Sequence, residues 1–366
     1  MNLDLYFARR FLQSFLLIGL VFLTLMMLID MIEQLRKFEG LDIGFGRLFG
    51  LVLLNAPAAI KDILPLLMIL STILLFVGLA RSSELVVTRA AGRSGIRALV
   101  PPATVAFLIG LLAVSTLNPI AAATTNRYQQ LADTYRSGGP AALSLSGEGL
   151  WLRQGGAQGQ SVIHATGYRG TSDLTLFGVT ILSYAPDGGP VRRMFAETAY
   201  LGQNEWVLGN VKVWPLTPGL NPESSSATHE TLKLPTTLTQ DRIRDSLGRS
   251  EGISIYDLPA TIRDLRQAGF STRKHEVWYQ VELARPLFLM AMVLVGAAFT
   301  MRHTRFGGTG IAVLTAVLLG FTLYFIRNFA QILGENGQIP IELAAWGPPV
   351  ASIFLTLGLL LHAEDG

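Results

Sequence analysis

The sequence predicts a polytopic α-helical membrane protein of six transmembrane helices, with an all-β domain of jelly-roll or sandwich type inserted between the third and the fourth. Composition is the first observation. Half of the 366 residues are apolar and only 15% are charged, against roughly 25% charged in a soluble domain, so the surplus apolar surface calls for lipid. The second is a set of six apolar runs, each close to the ~20 residues that cross about 30 Å of hydrocarbon at about 1.5 Å per residue. The third is a change of texture after residue 140, where apolar and polar residues alternate at the period of a strand.

The runs cover 11–29, 63–80, 98–117, 283–300, 310–332 and 344–361. The first follows Arg9 and Arg10 and continues into Asp30-Met31-Ile32-Glu33 without a small-residue cleavage site, so it reads as an uncleaved span rather than a secretory signal. The stretch 48–60 is apolar too, but Pro57 interrupts it and Lys61 with Asp62 closes it, which predicts an interfacial approach to the second span. Arginines of the short loops set the orientation. Arg9 and Arg10, then Arg81, Arg89, Arg93 and Arg97, then Arg302 and Arg305 fall on one side, which the positive-inside rule makes cytoplasmic. Both chain ends are expected there and the β domain outside. Arg36, Lys37, Arg47 and Lys61 run against that bias.

The predicted organisation is 1–140 for spans one to three, 141–250 for the β domain, and 251–366 for a connecting helix and spans four to six. Candidate strands cover 150–153, 161–166, 174–184, 191–202, 206–214 and 227–234. Pro186-Asp187-Gly188-Gly189 and Gln203-Asn204-Glu205 are turn formers between them. Asp257 and Pro259 then open a short amphipathic helix whose Leu258, Ile262 and Leu265 share a face until Gly269 stops it. A second helix from about Ser271 leads into span four.

Several chemistries are absent from this pattern. No GxxxxGK[ST] phosphate cradle occurs, so the chain is not expected to hydrolyse ATP by itself. His229-Glu230 and His275-Glu276 lack a second His four positions on, and no GxSxG elbow is present, which argues against hydrolase and metalloprotease readings. With no cysteine there is no disulfide, thiolate metal site or cysteine nucleophile. Ionisable residues are nearly absent inside the predicted spans, where an ion-coupled carrier keeps acidic groups.

The segment 82–92 between spans two and three reads as a self-contained two-turn helix. Ser83 is placed to cap it, Glu84 suits the positive end of its dipole, and Gly92 ends it. Such a short cytoplasmic helix either docks into a groove of a motor protein or is a plain interfacial linker.

Ser83-Glu84-Leu85-Val86-Val87 with Ala91-Gly92, the β domain after span three, and Leu333-Gly334-Glu335-Asn336-Gly337 before span six together resemble the lipopolysaccharide-export permease family, LptF and LptG. Gly149-Leu150-Trp151 and Ala345-Trp346-Gly347-Pro348-Pro349 resemble its LptG members more closely. The resemblance covers nearly the whole chain. It implies a bacterial inner-membrane subunit with its β domain in the periplasm, a second LptF-like permease, a dimer of LptB-like ATPases and an LptC-like bitopic protein. Lipopolysaccharide and membrane lipid are the implied ligands, and no nucleic acid. No cofactor is expected on this chain; ATP and Mg belong to the ATPase partner. Glu84 would contact that ATPase, with Leu85 and Arg89 beside it.

Lipopolysaccharide requires an apolar cavity for acyl chains and cations for glucosamine phosphates. Glu33, Arg36 and Lys37 at the outer end of span one lie three and four residues apart, so they neighbour one another on a continued helix, either as a solvated ion pair or as a basic rim. The family's basic residues there map onto Arg36 and Lys37, while a further Lys expected one turn earlier is Asp30. Arg327 near the outer end of span five, and Arg127 and Arg136 after span three, are further phosphate candidates. Arg327 has the alternative of snorkelling beside Tyr324. Phe22, Met26, Phe321 and Phe325 are candidate cavity-lining residues. A different class of function, a membrane scaffold whose β domain recruits an envelope partner without moving a substrate, fits the same architecture.

Overall fold

A computed structural model of the chain describes residues 3–41, 43–90, 92, 94–137, 143–146, 149–156, 159–169, 175–185, 189–202, 205–216, 221–236, 252–267, 271–301 and 309–365. Its helices are α1 (Leu3–Lys37), α2 (Phe45–Arg81), α3 (Glu84–Ala90), α4 (Gly95–Leu112), α5 (Asn118–Ser137), α6 (Leu258–Gln267), α7 (Arg273–Thr300), α8 (Thr309–Glu335) and α9 (Ile341–Asp365). Among the described residues, six helical stretches are long and apolar enough to cross a membrane, the third running from α4 through a π turn (Ala113–Leu117) into α5.

The spans are longer than hydropathy alone indicates. α2 runs unbroken for 37 residues through Pro57 and Pro65, so the predicted interfacial approach at 48–60 is instead the first half of the second span. A proline removes one backbone hydrogen bond and crowds the preceding turn, but a helix packed in a bundle keeps its course where neighbours hold it. Here α1 packs along α2, and Asn55 Nδ2, two residues before Pro57, donates to Asp30 Oδ2 of α1 (3.1 Å). Lys61 therefore belongs to a span and not to a loop.

The π turn has a visible cause. Pro119 has no N–H to offer the Ser115 carbonyl four residues earlier, which takes that oxygen out of the regular helical ladder. Tyr256 Oη donates to Ser115 O (3.0 Å), the Ile255 N–H to Asn118 Oδ1 (2.9 Å), and Asn126 Nδ2 to Gly252 O (2.7 Å). The segment that leaves the β domain is thus stitched to span three before α6 begins. Leu258 and Leu265 of α6 are buried as their spacing predicts; Gly269 lies outside the described residues.

The inserted domain is all β. Its strands are β1 (Leu143–Ser146), β2 (Gly149–Gly156), β3 (Gly159–Arg169), β4 (Thr175–Tyr184), β5 (Pro190–Leu201), β6 (Glu205–Pro215) and β7 (Ala227–Pro235). They pair antiparallel in chain order as one meander. Alternation puts Leu152, Ile163, Ile181, Met194, Val211 and Leu234 on one face, which with Trp206 is fully or nearly fully buried. Among the described residues, the cluster that lines this face belongs to the strands themselves. The six strands expected from alternation are present; the short β1 is additional.

The helical core gathers Phe7 and Phe11 of α1, Met68 and Phe76 of α2, Ala106 of α4, and Phe288 and Met292 of α7. α7 is central, packing on α2, α4, α8 and α9. Small residues permit the closest approaches: a Cβ on Gly110 of α4 would lie 2.4 Å from Pro286 Cα of α7.

Candidate functional site

At the start of α1, Tyr6 and Arg10 stand one turn apart and both reach Glu84, the first residue of α3. Tyr6 Oη donates to Glu84 Oε2 (2.6 Å), and Arg10 Nη1 donates to Oε1 (2.8 Å) and Oε2 (2.9 Å) as well as to the Tyr6 hydroxyl. Ser82 Oγ donates to Oε1 (2.8 Å). Burial pushes the Glu84 carboxyl up, but the hydrogen bonds from Tyr6, Arg10 and Ser82 and the Arg10 charge outweigh it and hold it below the ordinary carboxylate range. Ser83 occupies the N-cap position in the left-handed region (φ 60°), and the described side-chain contact at this end comes from Ser82 instead. Gly92 follows the helix with φ 79°, a conformation that suits glycine, as its predicted role as terminator requires.

The outward face of α3 differs from the expected one. Leu85, predicted to face an ATPase, is only 4% exposed and enters the same core as Phe7 and Phe11, because a seven-residue helix needs an apolar anchor to stay docked. Val86 and Val87 are the exposed apolar residues, at 50% and 67%. Buried Leu85 and Thr88, three positions apart, share the inward face of this turn. Arg89 lies on α3 with its side chain outside the described residues, and Arg93, Arg302 and Arg305 are outside them altogether.

The other end of α1 carries Arg36 and Lys37 as its last residues, both exposed. Lys37 Nζ donates to Tyr128 Oη (3.2 Å) and lies over that ring at 5.7 Å. Buried Gln34 shares hydrogen bonds with the same hydroxyl (3.0 and 3.2 Å). These contacts bring the end of α1 beside α5, where exposed Arg127 follows Asn126 and donates to Gln130 Oε1 (3.3 Å). Of the predicted cations at this end, the contact to Tyr128 of α5 is made by Lys37, with Arg36 and Arg127 next in sequence to Lys37 and Tyr128. Arg136 is further along α5, its side chain undescribed. Asp30 has a structural task, accepting from Gln34 Nε2 (2.9 Å) and Asn55 Nδ2 and so tying α1 to α2.

Arg327 lies on α8. Its guanidinium sits 5.4 Å over the ring of buried Phe288 and donates to Asn328 Oδ1 (3.1 Å). It borders a charge cluster that the sequence reading missed when it found the spans almost free of ionisable groups. Glu282 of α7, with its side chain 0% exposed, takes Arg285 Nε at 2.9 Å and a second bond from Arg285 Nη2, and has Lys61 Nζ at 3.5 Å. Arg285 Nη1 also donates to the Lys61 carbonyl (2.9 Å), and the Lys61 ammonium lies 4.9 Å over Trp278. The i, i+3 spacing of Glu282 and Arg285 at the edge of an apolar run was the one local clue.

Phe22 is half-buried against the main core, and Met26 lines a groove between α1 and α2 with Leu23, Val52 and Ile60. Phe321 and Phe325 of α8 are 42% and 64% exposed. α1 packs on α2 and α4, and α8 on α7, α9 and α2, so these two sets stand on separate flanks. The Leu333–Gly337 phrase covers the end of α8 and the start of the α8–α9 connection: Arg273 donates from Nε to Gly334 O and from Nη2 to Ile339 O, both at 2.6 Å. Trp346 Nε1 donates to Gln280 of α7 (3.0 Å).

Comparison with known proteins gives the context. A family model described as lipopolysaccharide export system permease LptF/LptG matches residues 5–362. The lipopolysaccharide export system permease protein LptG of Escherichia coli K12 is 23% identical, over 98% of both chains. The protein of the same name in Haemophilus influenzae is 23% identical over 100% of this chain and 99% of its own. Six membrane-spanning helices, one inserted β sheet and a family match along nearly all of the sequence make this chain a member of the LptF/LptG lipopolysaccharide export system permease family.

Proposed function

We propose that the chain is one permease subunit of an ATP-driven exporter that extracts lipopolysaccharide from the inner membrane and passes it to a periplasmic β bridge. The observation that carries this reading is the family match across residues 5–362. Both termini are cytoplasmic in this scheme and the β domain is periplasmic. The partners are an LptF-like permease, an LptB-like ATPase dimer that binds ATP and Mg, and an LptC-like bitopic protein.

Glu84 and Arg89 meet the ATPase in this reading, and exposed Val86 and Val87 supply the apolar contact in place of Leu85. Arg36, Lys37 and Arg127 form the phosphate rim, with Arg136 further out on the same helix. The Lys37–Tyr128 contact, with Arg36 and Arg127 next to those two in sequence, supports that grouping. Arg327 is the weaker phosphate partner, since its charge already adjoins Glu282. Exposed Phe321 and Phe325 on one flank, and Phe22 and Met26 on another, suit an assembly in which this permease lines one lateral opening with α1 and the other with α8.

The test is reconstitution with the second permease and the ATPase pair. Glu84→Ala is expected to leave the complex assembled while abolishing lipopolysaccharide-stimulated ATP turnover; unchanged turnover would remove Glu84 from the coupling path. Arg36→Ala with Lys37→Ala is expected to lower lipopolysaccharide crosslinking several-fold. A purified chain that carries no ATPase from native membranes would favour the scaffold reading instead.

A further inference from the structure

We propose that Tyr6 and Arg10 are positioning residues that fasten span one to α3, so that a push received by α3 is delivered to α1 as one body. This rests on the reading of Glu84 as a motor contact. The inference starts from what else holds the two helices together. α3 packs mainly on α2, and α1 packs on α2 and α4. Leu85 anchors α3 in a core shared with Phe7 and Phe11, but an apolar contact is non-directional and tolerates sliding.

The polar contacts fix direction. Tyr6 and Arg10 lie on the same face of α1, four residues apart, so their side chains converge on one point. The guanidinium stands 5.6 Å over the Tyr6 ring, which keeps both groups aimed together. One carboxylate then takes Tyr6 on Oε2, Ser82 on Oε1 and Arg10 on both. Ser82 closes α2, so the ends of α1 and α2 and the start of α3 meet on a single side chain. Arg10 and Glu84 nevertheless keep 34% and 36% of their side chains exposed. A cation from a docking protein therefore reaches Glu84 while Arg10 stays bound. The contact is a strut and not a latch, and α1 and α3 remain joined through the transport cycle.

The assembled exporter, with its second permease and ATPase pair, tests this in phospholipid vesicles containing lipopolysaccharide, by the amount of lipid extracted per ATP hydrolysed. Arg10→Gln is expected to lower that ratio at least fivefold with complex yield unchanged, Tyr6→Phe about twofold, and Arg10→Lys to keep it within twofold of the parent. A merely structural role would change yield and leave the ratio. The cysteine-free sequence allows a second measurement, in which Arg10→Cys and Ser82→Cys are joined by a short bismaleimide with Glu84 intact. The covalent tie is expected to restore a ratio that the unlinked pair has lost. The strut is overturned if Arg10→Gln leaves the ratio at the parental value, or if the tie stops transport that the unlinked pair supports. Parental vesicles that extract no lipopolysaccharide would overturn the functional reading along with it.

Discussion

Two carboxylates, Glu84 and Glu282, each gather partners from elements distant in sequence, and they differ chiefly in access to water. Glu84 is a third exposed; Glu282 is sealed between α2 and α7. Exposed ion pairs contribute about 0.2–1 kcal/mol because water and salt compete for the same charges. A buried charge has lost its hydration, so removing one partner of such a cluster leaves the others uncompensated at a cost of about 3–5 kcal/mol. Similar chemistry therefore serves two ends. The sealed cluster holds the fold, whereas the open one is accessible to another protein and to changes in pH.

That contrast breaks most readily at Glu282. Glu282→Ala is expected to destabilise the helical bundle by about 3–5 kcal/mol, since Lys61 and Arg285 would remain buried as unpaired cations, measured by unfolding in mixed detergent micelles. A loss under 1 kcal/mol would show that water already reaches the cluster. Next in size is Gly110→Ala, which sets a methyl against the backbone of Pro286, adjacent to Arg285, with an expected cost of about 1–3 kcal/mol in the same assay. Glu84→Ala should change that stability by less than about 1 kcal/mol while abolishing stimulated turnover, so the two effects separate at this residue alone.

The smallest effect is the pH dependence of the open cluster. The folded-state pKa of Glu84 lies below its unfolded value, so its contribution is complete above the ordinary glutamate range near 4.3 and is lost as pH falls through the lower folded value. Reactivity of an α3 cysteine label, introduced as Val87→Cys, is expected to stay constant from pH 7 to about pH 5 and to rise only in stronger acid. A rise beginning between pH 6 and 7 would contradict the depressed carboxyl.

The spans and strands were legible because both are carried by period and length, which survive without knowledge of neighbours. α2 was read too short because Pro57 looks like a terminator until Asp30, Asn55 and the packing of α1 are in view. Lys61, Glu282 and Arg285 resembled ordinary span boundaries, since a charge at the end of an apolar run is usually solvated; only the alignment of α2 with α7 shows them buried. Glu84 was visible from its local motif, yet its partners lie 74 and 78 residues away. Lys37 was named without its partner, and Tyr128, 91 residues away on α5, is what fixes it. Leu85 and Arg327 show the limit of reading side chains without a third dimension: Leu85 enters the core, and Arg327 lies over Phe288 and donates to Asn328.

The π turn at Ala113–Leu117 sets the phase of everything beyond it on the same continuous rod. One residue more or fewer in a helix rotates the remainder by about 100°. Excising a single position there would swing Tyr128 away from Gln34 and Lys37. The contact between Tyr128 and Lys37 thus owes its azimuth to an irregularity more than two helical turns away.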